Sequence, residues 1–208
     1  MKLNSPIAVM VMGRPGAGKD TQADYLAEYF NLIRISTSEI IKKKLNSDSD
    51  DPALEKEREI FNSGVLNTPS WVLSVIKEHV EDLQKKDFEG KNGIIFSGSP
   101  RTLYEAENMI PFIEDIFGQD NIFAFNLEVS DDIGLKRIRE RNKENPRELD
   151  TGEDKLKIRT KEFYERTKPG MDVVEEKGYL ITVDGNRTPE EISNEVTSIL
   201  ESKLKQKA

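Results

Sequence analysis

The chain is 208 residues long, carries a formal net charge of −8 with 34% charged residues, and contains no cysteine. That length suits one domain with modest insertions, the acidic balance excludes a general nucleic-acid binder, and the lack of cysteine excludes a disulfide framework and a thiolate zinc site. No apolar run approaches the ~18 residues of a membrane span and the N-terminus runs directly into a strand, so no membrane, no signal peptide and a cytoplasmic setting are expected.

Apolar runs predict strands at Ile7–Met12, Leu32–Ile35, Gly93–Ser97, Ile122–Leu127 and Tyr179–Val183. Longer periodic segments predict helices over Thr21–Phe30, Thr37–Lys44, Pro52–Asn62, Ser70–Lys86, Leu103–Phe117, Asp131–Arg141, Gly152–Lys177 and Pro189–Lys203. Strand–helix alternation predicts an α/β fold, a parallel sheet covered on both faces, with ligands at the carboxyl ends of the strands. Two segments exceed the minimal alternation. Three helices lie between the second and third strands, and the polar stretch Asn142–Asp150 separates two charged helices. Insertions of this kind suit a second-substrate site and a lid.

The first strand runs into Gly13-Arg14-Pro15-Gly16-Ala17-Gly18-Lys19-Asp20-Thr21. A buried strand, a glycine turn and a helix start are the context in which G-x-x-x-x-G-K binds phosphate. The glycines let backbone N–H groups curl around an anion, Lys19 adds a mobile charge, and the helix N-terminus adds its positive dipole end. The third strand ends in Ser97-Gly98-Ser99-Pro100-Arg101, which puts an arginine fork at the sheet's carboxyl edge. Arg137, Arg141, Arg147 and Arg159 bracket the polar loop. Arg137 and Arg141 are four apart and share a helical face. Four arginines around one loop in an acidic chain suit a clamp for phosphates in transfer.

On these motifs the sequence resembles the adenylate kinases, within the nucleoside monophosphate kinases. The match takes in Gly13–Gln22, Ile35-Ser36-Thr37, Gly64-Val65-Leu66, Gly98–Arg101, Arg137-x-x-x-Arg141, Arg147, Arg159, Thr167-Lys168-Pro169 and Asp184-Gly185. The resemblance implies a P-loop three-layer α/β/α fold whose five-stranded parallel sheet has the order 2-3-1-4-5. It implies one kinase domain, with its core at 1–36, 69–140 and 152–208. A helical monophosphate-binding insertion at 37–68 and a short lid at 141–151, with no structural zinc, complete it. ATP with Mg2+ is the implied donor, AMP the implied acceptor, and a monomer the implied state. Gly13, Gly16, Ala17, Gly18, Lys19, Asp20 and Thr21 would hold the donor phosphates, with Asp20 and Thr21 the candidates for the metal. Arg141 would contact the donor and Arg137 stack by its base, where Gly185 and Arg187 pass the adenine. Thr37, Lys42, Val65, Leu66, Asn67, Gly98, Ser99, Pro100, Arg101, Glu105 and Arg159 would line the acceptor site. Arg147 would reach in from the lid, so that Lys19, Arg101, Arg141, Arg147 and Arg159 carry catalysis.

Several positions depart from the family's pattern. Asp20 stands for a glycine, Ser97 for the aspartate that helps order magnesium, Ser99 for a phenylalanine, Lys42 for an arginine, and Ser38 for a glycine. Glu105 stands for the glutamine that reads the acceptor adenine. Asp20 and Ser97 look like an exchange, since neighbouring strands would put one carboxylate and one hydroxyl around the same cation; a cap on the following helix is the other reading of Asp20. Two alternatives to an AMP kinase stay open: a kinase of another nucleoside monophosphate, and a low-activity nucleotide-binding sensor with the same fold.

Overall fold

The computed structural model describes residues 3–47, 51–146 and 152–206. Five strands, β1 (Ile7–Met12), β2 (Ile33–Ser36), β3 (Gly93–Ser97), β4 (Ile122–Glu128) and β5 (Leu180–Asp184), form one sheet in the order β2-β3-β1-β4-β5. All four pairings are parallel. β1 sits at the centre and all six of its residues are buried, as a strand covered on both faces requires. Side chains alternate across it. Ala8, Met10 and Met12 face a core built with α4 (Pro69–Lys85), α5 (Leu103–Phe117) and α8 (Lys168–Glu176). Ile7, Val9 and Val11 face a second core built with α1 (Lys19–Phe30) and α9 (Pro189–Lys205). These are the two outer layers, and the expected strand order holds.

The expected insertion contains α2 (Thr37–Leu45) and α3 (Pro52–Ser63), each sending leucines into the first core. α6 (Asp131–Glu144) runs three residues past its predicted end, so the described start of the expected lid is helical. Residues 147–151, including Arg147, lie outside the described part. One expected helix divides. In place of Gly152–Lys177 there is α7 (Glu153–Glu162), a wide π turn (Phe163–Thr167) and α8. Pro169, in the first turn of α8, has no N–H to complete an ordinary i→i−4 ladder, and the chain takes the wider turn just before it.

Candidate functional site

The loop between β1 and α1 lies at the carboxyl edge of the sheet, where an open α/β sheet binds ligands. Its glycines are needed there. Gly16 has φ +80°, and a Cβ on it would fall 2.7 Å from the Gly134 carbonyl carbon in α6 and closer still to the oxygen. Gly18 caps α1 in the left-handed conformation. The Lys19 ammonium donates to the Arg14 carbonyl of the same loop at 2.8 Å, and Gln22 donates to Pro189 at 2.8 Å, joining α1 to α9.

Two cavities open over this edge. One is walled by Gly13, Thr37, the Gly64–Asn67 loop, Gly98–Arg101, Glu105 and the α7 end. The other runs over Pro15–Gln22 to Arg137, Arg141, Asn145 and Pro146, and is closed by Pro189 and Ile192 of α9. Lys19, Arg101 and Arg159 line both. Three cations from three separate elements therefore stand on the wall common to two chambers. A wall of cations between two chambers suits anions on either side of it.

Arg101 is held by its own turn, since its Nε donates to the Gly98 carbonyl. Burial disfavours its charge, and the Glu105 and Asp20 carboxylates favour it. Glu105 is 2% exposed and sits three residues into the helix that Thr102 caps. Its carboxylate accepts from the Arg101 N–H at 2.9 Å and the Thr102 hydroxyl at 3.2 Å, while the Thr102 oxygen accepts from its backbone N–H at 3.1 Å. Burial pushes the Glu105 carboxyl up, opposed by those hydrogen bonds and by Arg101 and Arg166. Across the cavity floor Thr37 and the fully buried Ser99 share a 2.8 Å hydroxyl contact.

At the exit of the loop, the Ser97 hydroxyl donates to the Asp20 carboxylate. Parallel pairing of Val11 with Ser97 brings the two elements together. Arg34 joins them, 3.3 Å from Asp20, 2.7 Å from Asp24 and 3.6 Å from Glu39. Asp20, Thr21 and Ser97 line the second cavity. One carboxylate with two hydroxyls suits magnesium, a hard cation that takes one or two protein carboxylates and fills its octahedron with water and substrate phosphates. No cluster of three or more His, Cys, Asp or Glu side chains that could hold a metal ion occurs among the described residues.

The family model for adenylate kinase matches residues 11–179. The chain belongs to the adenylate kinase family. An adenylate kinase of Flavobacterium johnsoniae is 32% identical over 201 residues, covering 94% of this chain and 99% of that one. One from Caldanaerobacter subterraneus is 30% identical, covering 92% and 95%, and one from Trichodesmium erythraeum is 28% identical, covering 91% and 95%. β5 and α9 follow the matched span; β5 completes the adenylate kinase sheet and α9 helps wall its second cavity.

Of the residues expected at an adenylate kinase site, Gly13, Thr37, Val65, Leu66, Asn67, Gly98, Ser99, Pro100 and Glu105 lie on the first cavity. Gly16, Ala17, Gly18, Asp20, Thr21, Arg137 and Arg141 lie on the second. Lys42, expected beside the acceptor, lines the second cavity, with its ammonium 5.9 Å from the Phe61 ring centre. Gly185 and Arg187 line neither cavity. They reach it through Arg137, which donates to the Gly185 carbonyl at 2.7 Å and the Arg187 carbonyl at 2.9 Å. The Arg187 side chain is turned to Glu195 and Asp184.

Arg14, Arg34, Glu57 and Glu162 are not among the residues expected from the sequence. Arg14, 4% exposed, pairs with Asp131 at the start of α6 and lies 5.9 Å from the Tyr164 ring centre, while the Tyr164 hydroxyl donates to Asp131 at 2.6 Å. It sits at a variable place in G-x-x-x-x-G-K, and no spacing rule marks its partner. Arg34 has a weak signal: a charge alternating with isoleucines in a short, half-buried strand.

Proposed function

We propose that the chain catalyses reversible transfer of the terminal phosphoryl group of ATP to AMP, giving two molecules of ADP. The observation that carries this reading is the wall of Lys19, Arg101 and Arg159 between two cavities, one of them over a phosphate-binding loop. ATP occupies the cavity over Pro15–Gln22, and the monophosphate occupies the cavity walled by Thr37, Gly64–Asn67 and Gly98–Arg101. A phosphate oxygen of the acceptor attacks the terminal phosphorus, and the bond to the bridging oxygen of the donor breaks. That oxygen leaves as the new terminal oxygen of ADP.

Little covalent help is needed, because positioning and charge neutralisation account for most of the catalysis. Lys19 reaches both phosphate chains from the loop. Arg101 and Arg159, which line both cavities, hold the group in transfer, and Arg141, on the second cavity, adds charge on the donor side. Arg147, expected to act with them, lies outside the described residues. Asp20 and Thr21, with Ser97 behind Asp20, are the residues that would hold magnesium. When bound, the ion neutralises charge on the donor phosphates. One chain builds both cavities, which supports action as a monomer. No described helix is long and apolar enough to cross a membrane, and the chain has no cysteine, which supports a cytoplasmic setting.

Glu105 favours one second reading, a different acceptor base. A carboxylate only accepts hydrogen bonds, whereas an amide also donates. Adenine still offers an exocyclic amino group, and guanine offers two suitable donors. A coupled assay with ATP and each of AMP, GMP, CMP and UMP ranks the acceptors, with Lys19→Ala as the control. Lys19→Ala should lower turnover by orders of magnitude while the melting curve stays in place. Wild-type turnover no faster than that of the variant would sink the kinase reading.

A further inference from the structure

The acceptor cavity is walled on one side by Gly64, Val65, Leu66 and Asn67, a stretch with no helix or strand of its own. Such a wall needs outside support if it is to hold a shape. Two carboxylates supply it, from opposite sides. From within the insertion, Glu57 of α3, 4% exposed, accepts from the Asn67 amide at 2.8 Å and from the Thr68 N–H at 3.0 Å. This support comes from α3, within the expected insertion.

The second support comes from about a hundred residues away. The Leu66 N–H donates to the Glu162 carboxylate at 3.3 Å, and the Leu66 carbonyl accepts from the Arg166 guanidinium at 3.4 Å. The same guanidinium nitrogen donates to Glu162 at 2.9 Å. Both polar groups of one residue's backbone are thus taken by an acid–base pair placed one after the other on α7 and the π turn. The pair is partly shielded, with 16% of the Glu162 side chain and 30% of the Arg166 side chain exposed. Arg159, on the wall between the two cavities, lies one helical turn before Glu162 and shares its face. One helix therefore carries a cation for the phosphates and a clasp on the loop that faces the rest of the acceptor.

We propose that Glu162 and Arg166 are positioning residues for the acceptor, fixing the Gly64–Asn67 wall at a set distance from Arg159 by holding the Leu66 backbone. The proposal rests on the first cavity being the acceptor site. Acceptor binding then depends on the clasp and donor binding does not.

The test uses Arg166→Met, Glu162→Gln and the exchanged pair E162R/R166E, with calorimetric binding of AMP and of ATP, steady-state kinetics and thermal melts. Arg166→Met should weaken AMP binding and raise its KM about three- to thirtyfold, the range for one or two modest hydrogen bonds, with ATP affinity within about twofold. Glu162→Gln, whose amide oxygen still accepts from Leu66, should keep most of the affinity. The exchanged pair is decisive. It preserves an i,i+4 ion pair but sets a cation against the Leu66 N–H and an anion against its carbonyl. The melt reads any general loss of stability, while the contrast between AMP and ATP reads the role in binding. AMP binding should stay as weak as in Arg166→Met. Wild-type AMP affinity in the exchanged pair, or equal losses for AMP and ATP in any variant, would overturn the proposal. Failure of the kinase reading would look different, because the wild-type protein itself would then bind AMP without transferring to it, or not bind it at all. In the latter case the clasp as an acceptor device falls too.

Discussion

Asp20→Asn separates two roles of one carboxylate, its observed contacts with Ser97 and Arg34 and its proposed hold on magnesium. The amide keeps an oxygen for the Ser97 hydroxyl, which is 3% exposed and would be costly to leave unpaired. Only the charge is lost. Its removal from the first turn of α1 costs about 0.3–1 kcal/mol of interaction with the helix dipole. The ion pair with Arg34 is worth at most about 1 kcal/mol, because the two side chains are 24% and 36% exposed and Arg34 keeps Asp24 at 2.7 Å. Weakening the hydrogen bond from Ser97 adds about 0.5–1 kcal/mol. The total is roughly 1–3 kcal/mol, or a fall in melting temperature of about 2–10 °C for a chain of this size. Should Asp20 also serve magnesium, loss of a full negative charge beside a divalent ion adds at least about 1.4 kcal/mol, a tenfold rise in the magnesium needed for half-saturation. Thermal melts without metal read the first effect. Magnesium titrations of ATP binding by calorimetry, and of turnover, read the second. Adding Ser97→Asp to Asp20→Gly should restore the magnesium response, since one carboxylate then returns to the same place. A lowered melting temperature with an unchanged magnesium response in Asp20→Asn would refute the metal role and leave Asp20 as a staple between α1, β2 and β3.

The buried Glu105 carboxyl gives a pH signature. Its proton affinity is raised in the folded chain by burial, so the stability gained from the neutral form is complete below the unfolded value of 4.5 and is lost as pH rises through the higher folded value. Glu105→Gln has no such loss, so its melting temperature relative to wild type should climb from acid to neutral pH; a pH-independent difference would contradict this. The same variant should sharpen the preference for AMP over GMP, and an unchanged ratio would remove Glu105 from base reading. Gly16→Ala and Gly18→Ala form a second contrast, because both glycines have positive φ but only Gly16 has backbone within 4 Å of the added carbon. Gly18→Ala should cost about 1–2 kcal/mol from conformation alone, and Gly16→Ala about 2–5 kcal/mol by denaturant unfolding, with loss of ATP binding.

The strands and the phosphate loop were legible because each follows from one local rule. Six consecutive apolar residues before a glycine turn have few structural alternatives, and a loop that wraps phosphate must be written in glycine and lysine. Asp20 and Ser97 were legible as a pair because strand order alone puts them side by side, and the hydroxyl-to-carboxylate contact is present. Arg34, which shares that carboxylate, was not, because side-chain reach across β2 has no pattern in the sequence. Glu105 shows a different limit. Compared with the family it is a missing glutamine, yet Thr102 followed three residues later by Glu is also a helix-start signature, and in the structure the carboxylate serves that start.

The expected helix over Gly152–Lys177 fails where the site needs it to fail. Helical periodicity sees only which residues are polar, and α7 is mostly polar with Leu156 its one buried residue, so it carries little mark of the face that meets another element. What decides that face is the contact of Glu162 and Arg166 with Leu66, and a backbone group has no side-chain identity to read. Pro169 was the one local hint, as a residue that cannot complete a regular ladder. Its consequence, a π turn that carries Arg166 and joins the helix of Arg159 to the helix packed on α5, becomes visible only once the acceptor loop is seen lying against it. Wide turns of this kind persist when neighbouring contacts compensate for the irregular hydrogen bonding. The clasp on Leu66 is such a contact, which on the proposal above ties the irregularity to acceptor binding.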